Sequence, residues 1–320
     1  MRKSCGENSP LEKLRIFVII NNGDVILKKS AVISIILAAS FWGIISIFVR
    51  HLTALGYTSM ELVSVRALIT AVSLIIFIAA TNRELLKVKL KDCRYFIGTG
   101  ILSFVFFNFC YLNAINTVSV SVAAILLYTS PIFVTVMSAM LFKEKFTKIK
   151  VVALILAFLG CILVTGVLSP TTVLNAKGLI FGVLSGFGYA LYSIFGRYAL
   201  NKYSSLTVTA YTFVFASIGV LPFISFPHFY SVAAKNPISV FWLVALAIVT
   251  GIIPYVLYTY GLSHIESGKA SIIACIEPVV ATLTGIIVFN ELLSIGSIIG
   301  IVLVMTAVIL LNAKTADTSK

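Results

Sequence analysis

YFIGTGILSFVFFNFCYLNAINTVSVSVAAILLYTSPIFVTVMSAMLF, residues 95–142, is a run of 48 residues between Arg94 and Lys143 without a single Asp, Glu, Lys or Arg. A helix needs roughly 20 mainly apolar residues to cross a bilayer, so this run holds two spans. The polar stretch Asn116-Thr117-Val118-Ser119 supplies the tight turn between them. Charges bound similar runs on either side. They predict helices near 31–50, 60–80, 95–114, 119–141, 150–168, 178–199, 206–225, 239–260, 269–289 and 296–312. Runs such as Val151-Val152-Ala153-Leu154-Ile155-Leu156 lack the alternation of a membrane β-barrel. The composition agrees: 60% of the 320 residues are hydrophobic and only 11% are charged, far below an ordinary soluble domain. The chain reads as an all-α membrane protein with ten transmembrane helices and the lipid bilayer as its surroundings.

A net charge of +13 raises nucleic acid as a partner, but no folded basic domain presents it. Lys and Arg instead sort by loop. With the N-terminus inside, 20 of them fall on cytoplasmic segments and only Arg50, Lys177 and Lys235 on external ones, with Arg66 left inside a span. Multi-pass insertion in the cell membrane with both termini cytoplasmic is the expectation, and no nucleic acid. The first 29 residues, whose longest apolar run is Ile16 to Ile20, are too polar for a signal peptide and read as a retained cytoplasmic tail with room for an interfacial helix. Cys5, Cys93, Cys110, Cys161 and Cys275 are odd in number, lack CxxC spacing and read as packing residues, not bridges or metal ligands.

Sliding the sequence against itself by 147 positions aligns separate helices without gaps. Leu37, Ser46, Ile47, Phe48 and Arg50 meet Leu184, Ser193, Ile194, Phe195 and Arg197. Tyr111, Ala123, Ile125, Pro131, Thr135, Phe142 and Glu144 meet Tyr258, Ala270, Ile272, Pro278, Thr282, Phe289 and Glu291. One offset across several helices marks a duplication. Five helices per copy is an odd number, so the second copy enters the membrane from the opposite side. Two inverted five-helix repeats are an architecture of secondary transporters, because near-equivalent halves can exchange conformations and open alternately to either side.

Trp42-Gly43 early in the first helix, Arg66 in the second, and Tyr128, Pro131, Phe142 and Glu144 along the fourth form a pattern that resembles the EamA-type branch of the drug/metabolite transporter superfamily. Glu277-Pro278-Val279 and Phe289-x-Glu291 resemble its second copy. The resemblance runs from about residue 31 to residue 312. It divides the chain into a tail (1–29), a first EamA repeat (30–168), a second EamA repeat (177–313) and a C-terminal tail (314–320). It implies a central cavity and transport of small metabolites, often export of amino acids or related compounds.

An ionisable group within a span is costly and points to function. Glu277 falls in the ninth helix and Arg66 over a turn inside the second, with Glu61 at that helix's outer end; their repeat equivalents are Ser130 and Phe213. One reading has Glu277 exchanging a proton or binding a cationic group while Arg66 meets a carboxylate, which suits a zwitterionic cargo with protons as the coupling ion. The other has the two charges pairing with each other or with neighbours, with Arg66 snorkelling to the outer end. For Arg66 the second reading is preferred, because it lies near the outer end of its helix; for Glu277 the functional reading is preferred, because its depth forbids snorkelling and Pro278 removes a backbone donor and leaves carbonyls of the preceding turn open to a ligand. Trp42, Asn108, Tyr128, Tyr189 and Tyr255 complete the candidate substrate-binding set. Glu144 and Glu291 read as dipole partners for the fifth and tenth helices, outside the site. Gly182-x-x-x-Gly186 and Gly296-x-x-x-Gly300 permit close packing within a monomer or across a homodimer.

Three histidines without a metal-spaced cluster, no GxSxG and no P-loop argue against a membrane enzyme, a resident cofactor and direct ATP coupling. A secondary active transporter moving a small-molecule substrate by alternating access is the expectation. An uptake permease of the same fold, or a non-transport scaffold or enzyme, stays open.

Overall fold

The structure, a computed structural model, describes residues 10–166 and 175–313, with side chains from Ile26 to Asn312 in that range. The tail portions 1–9 and 314–320, and Cys5, lie outside the described residues. Ten membrane helices follow in order. The first is Pro10–Gly43 continued as Ile45–Ala54, the second Ser59–Thr81, and the third Cys93–Ile97, Gly98–Val105 and Phe106–Ile115. The fourth is Val120–Leu127 with Ser130–Phe142, the fifth Lys148–Val164, the sixth Ala176–Leu200 and the seventh Ser205–Val220. The eighth is Ser239–Ala247, Ile248–Ile252 and Ile253–His264, the ninth Ser267–Ile273 with Ile276–Phe289, and the tenth Ile295–Ala313.

Among the described residues nine of these are long and apolar enough to cross a membrane. The remaining one, Lys148–Val164, has 17 residues and lies along the tenth helix. The chain is therefore an integral, multi-pass, all-α membrane protein. Residues 10–29, expected as tail, continue the first helix. A short helix absent from the sequence reading, Phe226–Lys235, crosses the loop between the seventh and eighth.

The repeat is visible in the irregularities as well as in the regular parts. The third and eighth helices widen into π-helical turns at Gly98–Val105 and Ile248–Ile252, and both resume as α-helix 147 positions apart, at Phe106 and Ile253. Only the second copy has a proline there, Pro254, so proline is not the cause of the wide turn. The fourth and ninth helices are each interrupted, at Tyr128-Thr129 and at Ala274-Cys275. Both end on a left-handed residue, Lys143 (φ 56°) and Asn290 (φ 53°), again 147 positions apart.

Packing follows the same symmetry. The first helix lies on the eighth and ninth, and the sixth lies on the third and fourth; the second packs on the seventh and the fifth on the tenth. Backbones meet directly in the last pair: a Cβ on Gly300 would stand 2.6 Å from the Gly160 carbonyl. Without a hydrophobic driving force between helices in lipid, such close backbone approach supplies the attraction. Gly182 and Gly186 face Leu126 and Thr129 of the same chain, so this small-residue motif is used within the monomer, whereas Gly296 meets little. Cys110, Cys161 and Cys275 are free and buried, and Cys93 is free and half-buried.

Candidate functional site

The two interrupted helices face each other across the first and sixth, and a cavity of about 450 Å³ opens where they meet. All seven sequence candidates line it: Trp42, Arg66, Asn108, Tyr128, Tyr189, Tyr255 and Glu277. Two pairs among them are related by the 147-residue offset, Trp42 with Tyr189 and Asn108 with Tyr255. The cavity therefore sits on the pseudo-two-fold axis, where each half contributes an equivalent position.

Each side chain has a local reason to be there. Glu277 stands in the first turn of Ile276–Phe289, directly after the break, with Oε2 accepting from the Tyr189 hydroxyl at 3.3 Å. Gly43 is where the first helix kinks, and a Cβ there would meet the Glu277 carbonyl at 2.9 Å and Val280 at 2.6 Å. The Trp42-Gly43 pair thus has a physical account: the glycine admits the ninth helix and the indole packs into an aromatic layer. Trp42 makes edge contacts with Tyr189 (6.2 Å between centroids) and Tyr255 (5.1 Å), and tilts on Tyr258 at 5.5 Å. Tyr192 continues the layer through Tyr255 at 5.3 Å, its hydroxyl 2.6 Å from Thr259 Oγ1. This layer is the cavity floor.

Arg66 differs from expectation. It is 5% exposed, lies over the Phe104 ring at 5.2 Å and lines the cavity, so it does not snorkel outward. Gly251, in the π-helical turn of the eighth helix, leaves room for its stem: a Cβ there would sit 3.3 Å from Arg66 Cγ and clash with Thr70. Arg66 Nε is buried without a hydrogen-bond partner. Among the described residues no ion pair joins Arg66 to Glu277, and the cavity's other carboxylate, Glu291, is paired with Arg50, so Glu277 and Arg66 line one cavity without a salt bridge between them. One further reading needs correction. The carbonyl that Pro278 frees, that of Ala274, is taken by the Glu277 amide at 2.9 Å and is not open to a ligand. Asn108 donates to its own helix, to the Phe104 carbonyl at 2.7 Å.

Glu144 and Glu291 also depart from the sequence reading. The fifth and tenth helices are capped by Thr147 and Ser294, which accept from the Lys150 and Ser297 amides. Glu144 instead accepts from the amides of Ser267 (2.7 Å) and Gly268 (3.2 Å), at the start of the ninth helix. Lys150 lies beside it, 3.5 Å from Glu144 and 2.7 Å from Glu266. Glu291 lines the cavity mouth and receives Arg50 Nη2 at 2.6 Å. Tyr111 also lines the cavity, as do Ser46, Thr165 and Thr282. Tyr111, a polar aromatic on a span and the repeat equivalent of Tyr258, was legible in the sequence as a cavity-lining side chain, but small hydroxyls carry no signal apart from position. Glu61, at the outer end of the second helix, is buried in a capping box with Thr58 and lies 2.9 Å from His228 of the connecting helix. On the opposite face Lys202 reaches Asp92 at 2.6 Å, and that hydrogen bond to a carboxylate raises the ammonium above the ordinary lysine range.

Two duplicated halves, interrupted helices that meet at the centre and a mainly apolar cavity holding buried charges between them define a membrane transporter. The model of the EamA-like transporter family matches residues 29–166 and again 176–313, and the chain belongs to that family. It is 29% identical over 277 residues to an uncharacterized transporter of Archaeoglobus fulgidus, covering 87% of this chain and 94% of that one. It is also 29% identical over 259 residues to the uncharacterized transporter YxxF of Bacillus subtilis, covering 79% and 80%. A solved crystal structure superposes with a TM-score of 0.75 at 16% identity, covering 91% of this chain and 99% of the other, a likeness of fold.

Proposed function

We propose that this transporter is a secondary active exporter of a small zwitterionic metabolite, an amino acid or a related compound, working by alternating access across the cell membrane with protons as the coupling ion. The observation that carries the reading is the pair of unjoined opposite charges in one cavity: Glu277 faces a cationic group of the cargo and Arg66 a carboxylate. A buried guanidinium with an unmet donor is costly until an anion arrives, and Arg offers a carboxylate two parallel hydrogen bonds. Trp42, Tyr128, Tyr189 and Tyr255 supply aromatic walls that exclude water, with Asn108 among them. A proton on Glu277 and the cationic group of a cargo compete for one carboxylate, which couples proton entry to cargo exit. Purified protein in liposomes, tested with a panel of labelled amino acids and related metabolites with and without a pH gradient, is expected to move a zwitterion against the direction of proton flow. Transport of anions or neutral solutes alone, indifferent to the gradient, would overturn the reading.

The proposed membrane orientation follows from the loop charges: both termini face the cytoplasm and the cavity opens outward. Cysteines at Lys145 and Leu293, in the turns after the fourth and ninth helices, are expected to react with an impermeant thiol reagent from opposite faces. External labelling of the Leu293 site alone supports the orientation; external labelling of both contradicts it.

A further inference from the structure

The two ends of the protein carry the same four groups, related by the 147-residue offset, in two different arrangements. At the closed end Glu144 accepts from the Ser267 and Gly268 amides, and Arg197 Nη1 donates to the carbonyls of Leu262 (2.7 Å) and Ile265 (3.2 Å). A carboxylate on the free amides of a helix start and a guanidinium on the free carbonyls of a helix end are both matched to the local backbone dipoles. Together they tie the fourth and sixth helices to the junction of the eighth and ninth. At the other end the equivalents of Glu144 and Arg197 are Glu291 and Arg50, and the equivalent backbone groups are the amides of Val120 and Ser121 and the carbonyls of Ile115 and Val118.

There the contacts are not made. Arg50 and Glu291 hold each other at 2.6 Å, both about half exposed (54% and 50%), whereas the Glu144 side chain is 7% exposed. Val120 and Ser121 line the cavity mouth opposite Glu291. Val120 is 65% exposed, while its counterpart Ser267 is fully buried. The difference between the two ends is the difference between an open and a closed gate.

We propose that Arg50 and Glu291 are the latches of the open end. When that end closes, their ion pair parts, Glu291 accepts from the Val120 and Ser121 amides, and Arg50 donates to the Ile115 and Val118 carbonyls. Glu144 and Arg197 release their equivalents at the other end in the same transition. The four are positioning residues: they decide which mouth is shut. The proposal rests on the alternating-access reading above and adds the contacts that hold each state. An exposed ion pair contributes little, whereas two desolvated charges on helix ends contribute more, so latching favours closure.

The test uses the full-length protein in liposomes, with native cysteines replaced and spin labels on cysteines at Asn116 and Leu292, exposed on opposite sides of the open mouth. A second preparation carries labels at the equivalent positions Ser263 and Lys145 of the closed end. Each pair is expected to give a short and a long distance whose populations move reciprocally. Glu291→Gln and Arg50→Gln are each expected to lower the mouth-closed population by about tenfold, the effect of losing one charge-assisted bond. Glu144→Gln and Arg197→Gln are expected to raise it. The double exchange R50E/E291R keeps an ion pair but sets a cation against amides and a carboxylate against carbonyls, so the mouth is expected to stay open. If the exchange restores wild-type closure, the pair is only a salt bridge and the latch is refuted. Shifts of the same sign from Glu144→Gln and Glu291→Gln would refute it as well. A wild-type protein with one fixed distance at both ends would instead remove alternating access, and the latches with it.

Discussion

Glu277→Gln is expected to leave the protein folded in the membrane and to lower transport by roughly two orders of magnitude, the size of losing a buried charged contact worth about 2–5 kcal/mol. Gln has the shape of Glu and its side-chain oxygen can still accept from Tyr189, so the break in the ninth helix and the aromatic floor are undisturbed. What is lost is the charge and the ability to exchange a proton. Initial rates in liposomes with an imposed pH gradient are the measurement, and residual transport by the variant should no longer respond to the gradient. An unchanged rate with unchanged pH dependence would make Glu277 a packing residue. A variant that fails to accumulate, yet is rescued when Arg66 is neutralised as well, would mean that the two charges stabilise each other structurally.

Gly300→Val acts on the scaffold, at the contact between the fifth and tenth helices. The new Cβ would stand 2.6 Å from the Gly160 carbonyl and 2.7 Å from Val164, so two helix backbones have to separate. Backbone has no alternative rotamer to yield with, and overpacking of this kind costs about 1–3 kcal/mol or more. The fifth and tenth helices come from different halves, so the loss falls on the contact between repeats. A fall in the unfolding temperature of the detergent-purified protein is the expected readout, with Gly300→Ala milder than Gly300→Val. An unchanged unfolding temperature for Gly300→Val would show that this contact does not hold the halves together.

The sequence by itself determined the fold class and the duplication. Charge-free runs long enough for two spans, loops that sort by charge and one constant offset of 147 residues are properties of the chain that no packing detail can alter. Backbone groups must be satisfied within the bilayer, so apolar runs of this length become helices whatever surrounds them. The cavity-lining candidates were legible for a related reason: Glu277 and Arg66 are costly in lipid, and Trp42, Asn108, Tyr189 and Tyr255 fall on helices that line the central cavity. Tertiary structure alone decided what each charge touches. Glu144 and Glu291 occupy equivalent places in the sequence, and symmetry of sequence predicts equal roles. One accepts two backbone amides 123 and 124 residues away, while the other pairs with Arg50 across 241 residues. Equivalent positions in the two halves sit in unequal packing, buried at one end and half exposed at the other, and only the packed structure shows which glutamate took which contact.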